Sequence, residues 1–250
     1  MNKHQKMKVL ITGSSSVIGR SLARQLLDEG HDVVLYDIQK SPQVSAKMKY
    51  VQGDVRDFDA VYKAAKGCDA GIHLAVLAGD ASTLDILSVN TIGAYAFFNA
   101  ASKSKFRMSV LASSAPVHLP PNELDTNQLL RTDSEDAYDL SKKIQEIIAQ
   151  DYHYHGLPTL CLRFGHIVRG KEKITLNSRT PLHKLDYCRG GWVALEDVVT
   201  GCISALMAQA DTSFHPYNLV GSVSGRKRFK VRETEQRLGI SLAYDFREYE

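Results

Sequence analysis

What the sequence lacks narrows its function first. Cys68, Cys161, Cys188 and Cys202 form no C-x-x-C pair and show no metal-ligand spacing, so no metal site is expected and a reducing cytosol is the simplest setting. No apolar run approaches the roughly 18 residues of a membrane-spanning helix. Met1 to Lys8 has no apolar h-region, so neither a membrane partner nor a signal peptide is expected. The formal net charge of +3 is too small to imply a nucleic-acid partner. Internal repeats and low-complexity linkers are missing as well. What remains is ordinary for a soluble, cytoplasmic globular protein: 44% apolar and 24% charged residues, in a chain long enough for one substantial domain.

What is present alternates between two periods. Lys8 to Thr12 is a continuous apolar run ending at Gly13, which suits a strand buried on both faces. Leu22, Ala23, Leu26 and Leu27 then recur at helical spacing until Gly30. Further strands are expected at Asp32 to Tyr36, Lys49 to Gln52, Asp69 to Leu74, Met108 to Ala112, Thr159 to Phe164 and Tyr217 to Val220. Helices are expected from about Phe58 to Gly67, Thr83 to Lys103, Tyr138 to His155 and Glu196 to Ala208. Pro116 to Ala137 reads as a loop over the sheet edge. Gly165 to Gly191 is polar, basic and without clear periodicity. The alternation predicts an α/β fold, a doubly wound parallel sheet of Rossmann type flanked by helices. Its single domain, 1–250, would hold a dinucleotide-binding core at 7–165. Minor substrate-binding segments would lie at 166–191 and 221–250, forming a small lid.

In such sheets ligands bind at the carboxyl ends of the strands. Gly13, Asp37, Asp54, Ala75, Ser113-Ser114 and Phe164-Gly165 all follow strand ends. Gly13 and Gly19 supply the first and last positions of a G-x-x-G-x-x-G phosphate turn, but the middle position is Ser16. Read as G-x-x-x-G-x-G, the middle would be Val17. Asp37 closes the second strand, where a carboxylate can bind both hydroxyls of an adenosine ribose and repel a 2'-phosphate, favouring NAD over NADP. The bland alternative is that it merely opens a turn, with Ser14 to Ser16 as helix caps, and a basic Arg20 beside the turn could favour a phosphate.

Tyr138 and Lys142 stand one helical turn apart and share a face. A cation beside a phenol stabilises the phenolate and lowers its pKa, so that it can exchange a proton with an alcohol.

Together these residues resemble the short-chain dehydrogenase/reductase superfamily. The resemblance runs from Val9 to about Ser222, through Thr12-Gly13 to Gly19, Asp37, Gly53-Asp54-Val55, His73-Leu74-Ala75, Asn90-Thr91-x-Gly93, Ser113-Ser114, Tyr138-x-x-x-Lys142 and Tyr217-Asn218-Leu219. His73-Leu74-Ala75, Ser141 before Lys142 and Tyr217-Asn218-Leu219 are similar to the extended, NAD-dependent epimerase/dehydratase branch. The resemblance implies that Tyr138 is the general acid/base, that Lys142 holds the nicotinamide ribose and lowers the Tyr138 pKa, and that Ser114 bonds the substrate oxygen. NAD would be held by Gly13, Ser16, Val17, Ile18 and Gly19 in the turn, by Asp37, Asp54 and Val55, by Leu74 and Ala75, by Lys142, and by Asn90, which would also position a water behind the lysine. Ser113 and His73 read as structural, and His153 and His155 as solvated residues at a helix end.

Departures from the family pattern trim the chemistry. Ala115 and Pro116 stand where sugar-nucleotide dehydratases carry an acidic pair, leaving no acid to expel water. His118 replaces a usual tyrosine, and Ala194 a usual histidine. The lid is short, which favours a small substrate. Compact uronate dehydrogenases are the nearest resemblance, sharing Ser-Ser, Tyr-x-x-Ser-Lys and Leu162-Arg163-Phe164-Gly165. Arg169, Lys171, Lys173, Arg179, Lys184 and Arg189 crowd the lid, where one or two could clamp a substrate anion or simply face solvent. Arg226 to Arg232 reads as a solvated basic tail. The expected activity is hydride transfer between NAD and a secondary alcohol or carbonyl of a sugar-like or small acidic molecule. The alternatives are a nucleotide-sugar epimerase with tightly held NAD and a silent dinucleotide sensor. A homodimer is expected by resemblance, through the helices that carry Asn90 and Tyr138.

Overall fold

A computed structural model of the chain describes residues 6–40, 48–115, 136–185 and 191–250. Pro116, His118 and nearly all of the expected edge loop, with Cys188 and Arg189 of the lid, lie outside the described residues. The seven expected strands form and run parallel: β1 (Lys8–Thr12), β2 (Asp32–Asp37), β3 (Met48–Gln52), β4 (Ala70–His73), β5 (Met108–Ser114), β6 (Thr159–Phe164) and, last in the chain, β10 (Pro216–Leu219). They pair in the order β10-β6-β5-β4-β1-β2-β3. The chain thus starts at the centre, winds outward through β2 and β3, then crosses back to β4 and winds the other way. Thr12 is in register with Tyr36 on one side and His73 on the other, so the strand ends that flank this reversal open one crevice.

Two apolar layers cover the sheet. On one face Leu22 and Leu26 of α1 (Val17–Asp28) and Val198 and Leu206 of α6 (Leu195–Met207) pack on Val9, Ile11 and Val110. On the other, Val61 of α2 (Phe58–Ala65), Phe97 and Phe98 of α4 (Gly93–Lys103) and Ala149 of α5 (Ala137–Tyr154) pack on Leu10, Val34 and Leu111. Fully burying each larger side chain contributes roughly 1.5–3 kcal/mol. Helix starts follow their caps: Ser16 accepts the Gly19 N–H, Asp57 the Ala60 N–H, and Asp136 the Tyr138 N–H, each satisfying an otherwise orphaned donor.

The helix expected over Thr83 to Lys103 forms without a gap but carries a π turn inside it. It consists of α3 (Thr83–Leu87), a π turn at Ser88–Ile92, and α4. The buried Asn90 sits in that turn with its side chain bonded to both backbone groups of Leu77, at 2.7 and 3.0 Å. Hydrophobic periodicity is blind to one inserted residue whose polar side chain is satisfied outside the helix.

The described part of the segment Gly165 to Gly191 also holds more order than its pattern suggests. β7 (His166–Arg169) pairs antiparallel with β8 (Ile174–Thr175) and parallel with β9 (Trp192–Ala194) in a small second sheet. Strands this short carry no readable period. The basic tail is likewise folded, as α7 (Val223–Arg228) and α8 (Val231–Leu238), with Phe229, Val231, Leu238 and Leu242 in the main core. Lys227, Lys230 and Arg232 are exposed, but Arg226 donates to the carbonyls of Gly221 (2.8 Å) and Leu242 (2.9 Å) and pairs with Glu235 at 3.2 Å. Asp197 then ties this segment to α6 by accepting the backbone N–H groups of Ala243 (2.8 Å) and Tyr244 (3.2 Å). His153 is not solvated as expected. It is buried and packs edge-on to Phe214, whereas His155 is exposed.

A buried ion pair joins α5 to the sheet. Arg163 on β6 donates to Glu146 through Nε (2.8 Å) and Nη2 (2.6 Å), and Ser113 on β5 donates to the same carboxylate at 2.5 Å. Replacing Glu146 by leucine would strand the Arg163 charge in a nearly dry site, and urea denaturation should show a loss of about 3–5 kcal/mol. The double variant Glu146→Leu/Arg163→Leu should lose markedly less.

Candidate functional site

The crevice beside β1 is shaped by glycine where backbone must approach backbone. Gly13 has φ +73°, and a Cβ there would stand 2.5 Å from the Ala75 nitrogen; one on Gly19 would stand 2.6 Å from the Gly13 oxygen. Ser16 explains the missing middle glycine. Its φ of −66° and ψ of 163° are ordinary for any residue, and its hydroxyl donates to the Gly13 carbonyl (2.8 Å) while accepting the Gly19 N–H at 3.0 Å. The turn therefore gets its shape from a cap, with Val17 and Ile18 opening α1 behind it, partly buried against the core.

A cavity of about 420 Å³ lies at these strand ends, lined by Gly13, Ser16, Asp37, Asp54, Val55, Leu74 and Ala75 among others. Its size suits part of a dinucleotide. The Asp37 carboxylate accepts the Ser15 N–H (2.8 Å) and the Gln39 N–H (2.9 Å), with lone pairs left for ribose hydroxyls. Asp54 is held below the ordinary carboxylate range by its bonds to Arg56, the closest at 2.6 Å. Arg20 donates to the Ser15 carbonyl, so its guanidinium braces the turn. These residues fit an NAD adenosine. Val17, Ile18, Gly19, Asn90 and the three residues expected to be catalytic lie outside the cavity lining.

Those three gather where β5 ends against α5. Ser114 closes β5, and Tyr138 and Lys142 lie on the first turns of α5. The Lys142 Nζ stands 5.7 Å from the Tyr138 ring centroid. It is fully buried and donates to the Ala112 carbonyl (2.8 Å) and to Gln145 Oε1 (3.1 Å). Burial lowers the Lys142 pKa to about 8, against opposing pulls from Cys161 and Glu146. The expectation that Lys142 depresses the phenol meets a difference here. Burial raises Tyr138 to about 12, with Asp139 and Asp136 adding and only the Ser114 hydrogen bond lowering it. The reason is that the ammonium is directed at neutral acceptors and is itself weakened by desolvation.

Sequence reasoning missed Gln145. Its Oε1 faces Lys142, and its Nε2 donates to the Asn90 main-chain oxygen at 2.9 Å. A usable signal was present, because Gln145 lies one turn beyond Lys142 on the same helix face. Asn90 Nδ2 further donates to Ser141 Oγ (2.8 Å), which donates to the Tyr138 carbonyl (2.7 Å). Ser113, bonded to Glu146, is structural as expected.

In the lid, Arg169 and Arg179 pair with Glu172 (3.6 and 2.9 Å), and Lys173 pairs with Glu248 at 2.7 Å. Among the described residues no cluster of His, Cys, Asp or Glu suits a metal, and no described helix is long and apolar enough to cross a membrane.

The family described as NAD dependent epimerase/dehydratase matches residues 9–219. A uronate dehydrogenase of Pseudomonas syringae pv. tomato is 29% identical over 163 residues, 63% of this chain and 58% of that protein. Other curated relatives are matched over only 57% and 43% of their length. An L-arabinose 1-dehydrogenase (NAD(P)(+)) of Haloferax volcanii is 26% identical over 248 residues, covering 93% of this chain and 94% of that one. Among solved structures, MoeE5 in complex with UDP-glucuronic acid and NAD superposes with a TM-score of 0.77 at 19% identity, covering 96% of this chain and 95% of that chain. At that identity the likeness is one of fold.

His73, between this site and β1, is also buried. Its Nδ1 is 2.8 Å from Thr12 Oγ1, and its Nε2 has no hydrogen-bond partner among the described residues. Burial first, then Lys142, lowers its pKa from 6.5 to about 3. The unfolded chain therefore takes up a proton that the folded chain refuses. Stability from this group is complete above pH 6.5 and is lost as pH falls toward 3. Urea midpoints measured from about pH 7 down to about pH 4 should fall less steeply for His73→Gln than for the wild-type chain.

Proposed function

The chain belongs to the NAD-dependent epimerase/dehydratase family, and from that premise we propose that it is an NAD-dependent oxidoreductase. It would transfer a hydride to or from a secondary alcohol or carbonyl on a sugar-like or small acidic substrate. The observation that carries this reading is the meeting of Ser114, Tyr138 and Lys142 beside a crevice whose second strand ends in Asp37.

Bound NAD would supply the hydride acceptor. Gly13 and Gly19 would let the turn approach its diphosphate, Asp37 would take the ribose hydroxyls, and Asp54 and Val55 would meet the adenine. A carbinol carbon releases hydride only as its hydroxyl proton leaves. Ser114 would donate to that oxygen while Tyr138 takes the proton, and the Lys142 charge would favour the phenolate. The step runs backward for a carbonyl, with Tyr138 giving the proton. A phenol held near 12 is a reluctant base at neutral pH, so the basic limb of the oxidation profile should lie well above neutrality unless the filled site brings the Lys142 charge to bear.

A dehydrogenase is favoured over an epimerase by the L-arabinose 1-dehydrogenase match over nearly both whole chains and by the small β7–β9 lid. Lid cations that already carry carboxylate partners favour a small substrate over a nucleotide sugar, leaving Lys171 and Lys184 exposed. A homodimer through α4 and α5 is supported by exposed Tyr95, Leu140, Ile147 and Tyr154.

Incubation with free aldoses and hexuronates should accumulate reduced nicotinamide, read by its absorbance. Interconversion of sugars without that accumulation would instead mark an epimerase. Tyr138→Phe should lower the rate by about 10²–10⁴-fold; an undiminished phenotype would favour a silent sensor. Calorimetry should find NAD bound more tightly than NADP, and the reverse order would sink the role given to Asp37.

A further inference from the structure

We propose that Gln145 is a positioning residue of this site, its side-chain amide bridging the Lys142 ammonium and the Asn90 main-chain carbonyl so as to fix the lysine against the π turn. Lys142, Asn90 and Gln145 are each at most 4% exposed, so this bridge is buried at both ends. The amide orientation follows from its partners. An ammonium only donates and a carbonyl only accepts, so Oε1 must face Lys142 (3.1 Å) and Nε2 must face Asn90 (2.9 Å).

A neutral residue with one acceptor and one donor at that reach is what the position demands. Glutamate, ionised, would set a second oxygen against the Asn90 carbonyl, and methionine or leucine would serve neither partner. The Asn90 oxygen stands where the π turn gives way to α4 and also accepts the Gly93 N–H. The bridge thus references the lysine to the same turn that Ser141 links to the Tyr138 carbonyl. Gln145 acts on chemistry only through Lys142 and touches no reacting atom.

The ionisable groups around Nζ are Tyr138 and Glu146 on α5, Cys161 on β6 and His73 on β4. Among the described residues the hydrogen-bonded acceptors at Nζ are the Ala112 carbonyl and Gln145, so removing Gln145 takes away one of these two bonds that favour the protonated lysine. For the acid/base pair the inference rests on the oxidoreductase reading, but the bridge itself does not.

Its test is a carbon-13 NMR titration of lysine-labelled protein, with the Lys142 signal identified by its loss in Lys142→Met. In Gln145→Met the Lys142 midpoint should fall by about one to two pH units. In Gln145→Glu it should rise, since an adjacent carboxylate favours the ammonium. A packing role alone would lower thermal stability without moving the two midpoints in opposite directions, and that result overturns the proposal. Should Gln145→Met fail to fold, Gln145→Glu decides: a raised midpoint supports the bridge, and an unmoved or lowered one overturns it. The titration uses neither NAD nor substrate. A failed oxidoreductase reading therefore leaves its result legible, and active enzyme with unmoved midpoints overturns the bridge alone.

Discussion

The carboxylate of Glu146 is the constraint on which the rest depends. It receives two bonds from Arg163 on β6 and one from Ser113 on β5, so one side chain of α5 is fixed to two adjacent strands. Tyr138 and Lys142 project from the same helix, and Ser114 follows Ser113 directly. The distance between the helix-borne and strand-borne parts of the site is therefore set by an interaction that takes no part in the chemistry. A buried pair of this kind adds little net stability over an apolar contact, yet it penalises any sliding of α5 along the sheet, because either charge displaced from its partner would be stranded.

A second constraint is dryness. Lys142 and His73 are buried and Tyr138 half-buried, and each shifts toward its neutral form. The site thus keeps three ionisable groups close together of which Lys142 alone carries charge at neutral pH, and lets neutral acceptors rather than a carboxylate hold the lysine. Such a centre responds strongly to any charge brought into it, because low dielectric magnifies the interaction.

How much of this the sequence made legible depends on the length scale. The central strands β1, β2, β4, β5 and β6 could be read because they are apolar runs buried on both faces, and α1 and α5 because their stripes repeat over several turns. Tyr138, Lys142 and Ser114 could be found because each sits at an element end, where pattern and position agree. The π turn was hidden because a single inserted residue does not disturb composition. The β7–β9 sheet was hidden because its strands of two to four residues lie in or beside a polar, basic stretch. Ser16 looked like a defect in a glycine motif, since sequence counts side chains while the turn only requires a backbone conformation that serine adopts freely. Arg226 looked solvated because charge was read without its partner Glu235, which becomes a neighbour only once α7 and α8 fold back on each other.

Asp37 accepts the Ser15 N–H while standing ready, on the proposed reading, to meet the ribose. One carboxylate then both selects the cofactor and tensions the loop that cradles its phosphates. An engineer wishing to convert such a protein to the phosphorylated dinucleotide by exchanging this aspartate for a small neutral residue would also release the loop. Accommodation of the extra phosphate would be offset by poorer grip on the diphosphate common to both forms. Cofactor exchange in this chain is therefore a matter of compensated pairs, in which a new donor partner for Ser15 must accompany the lost charge.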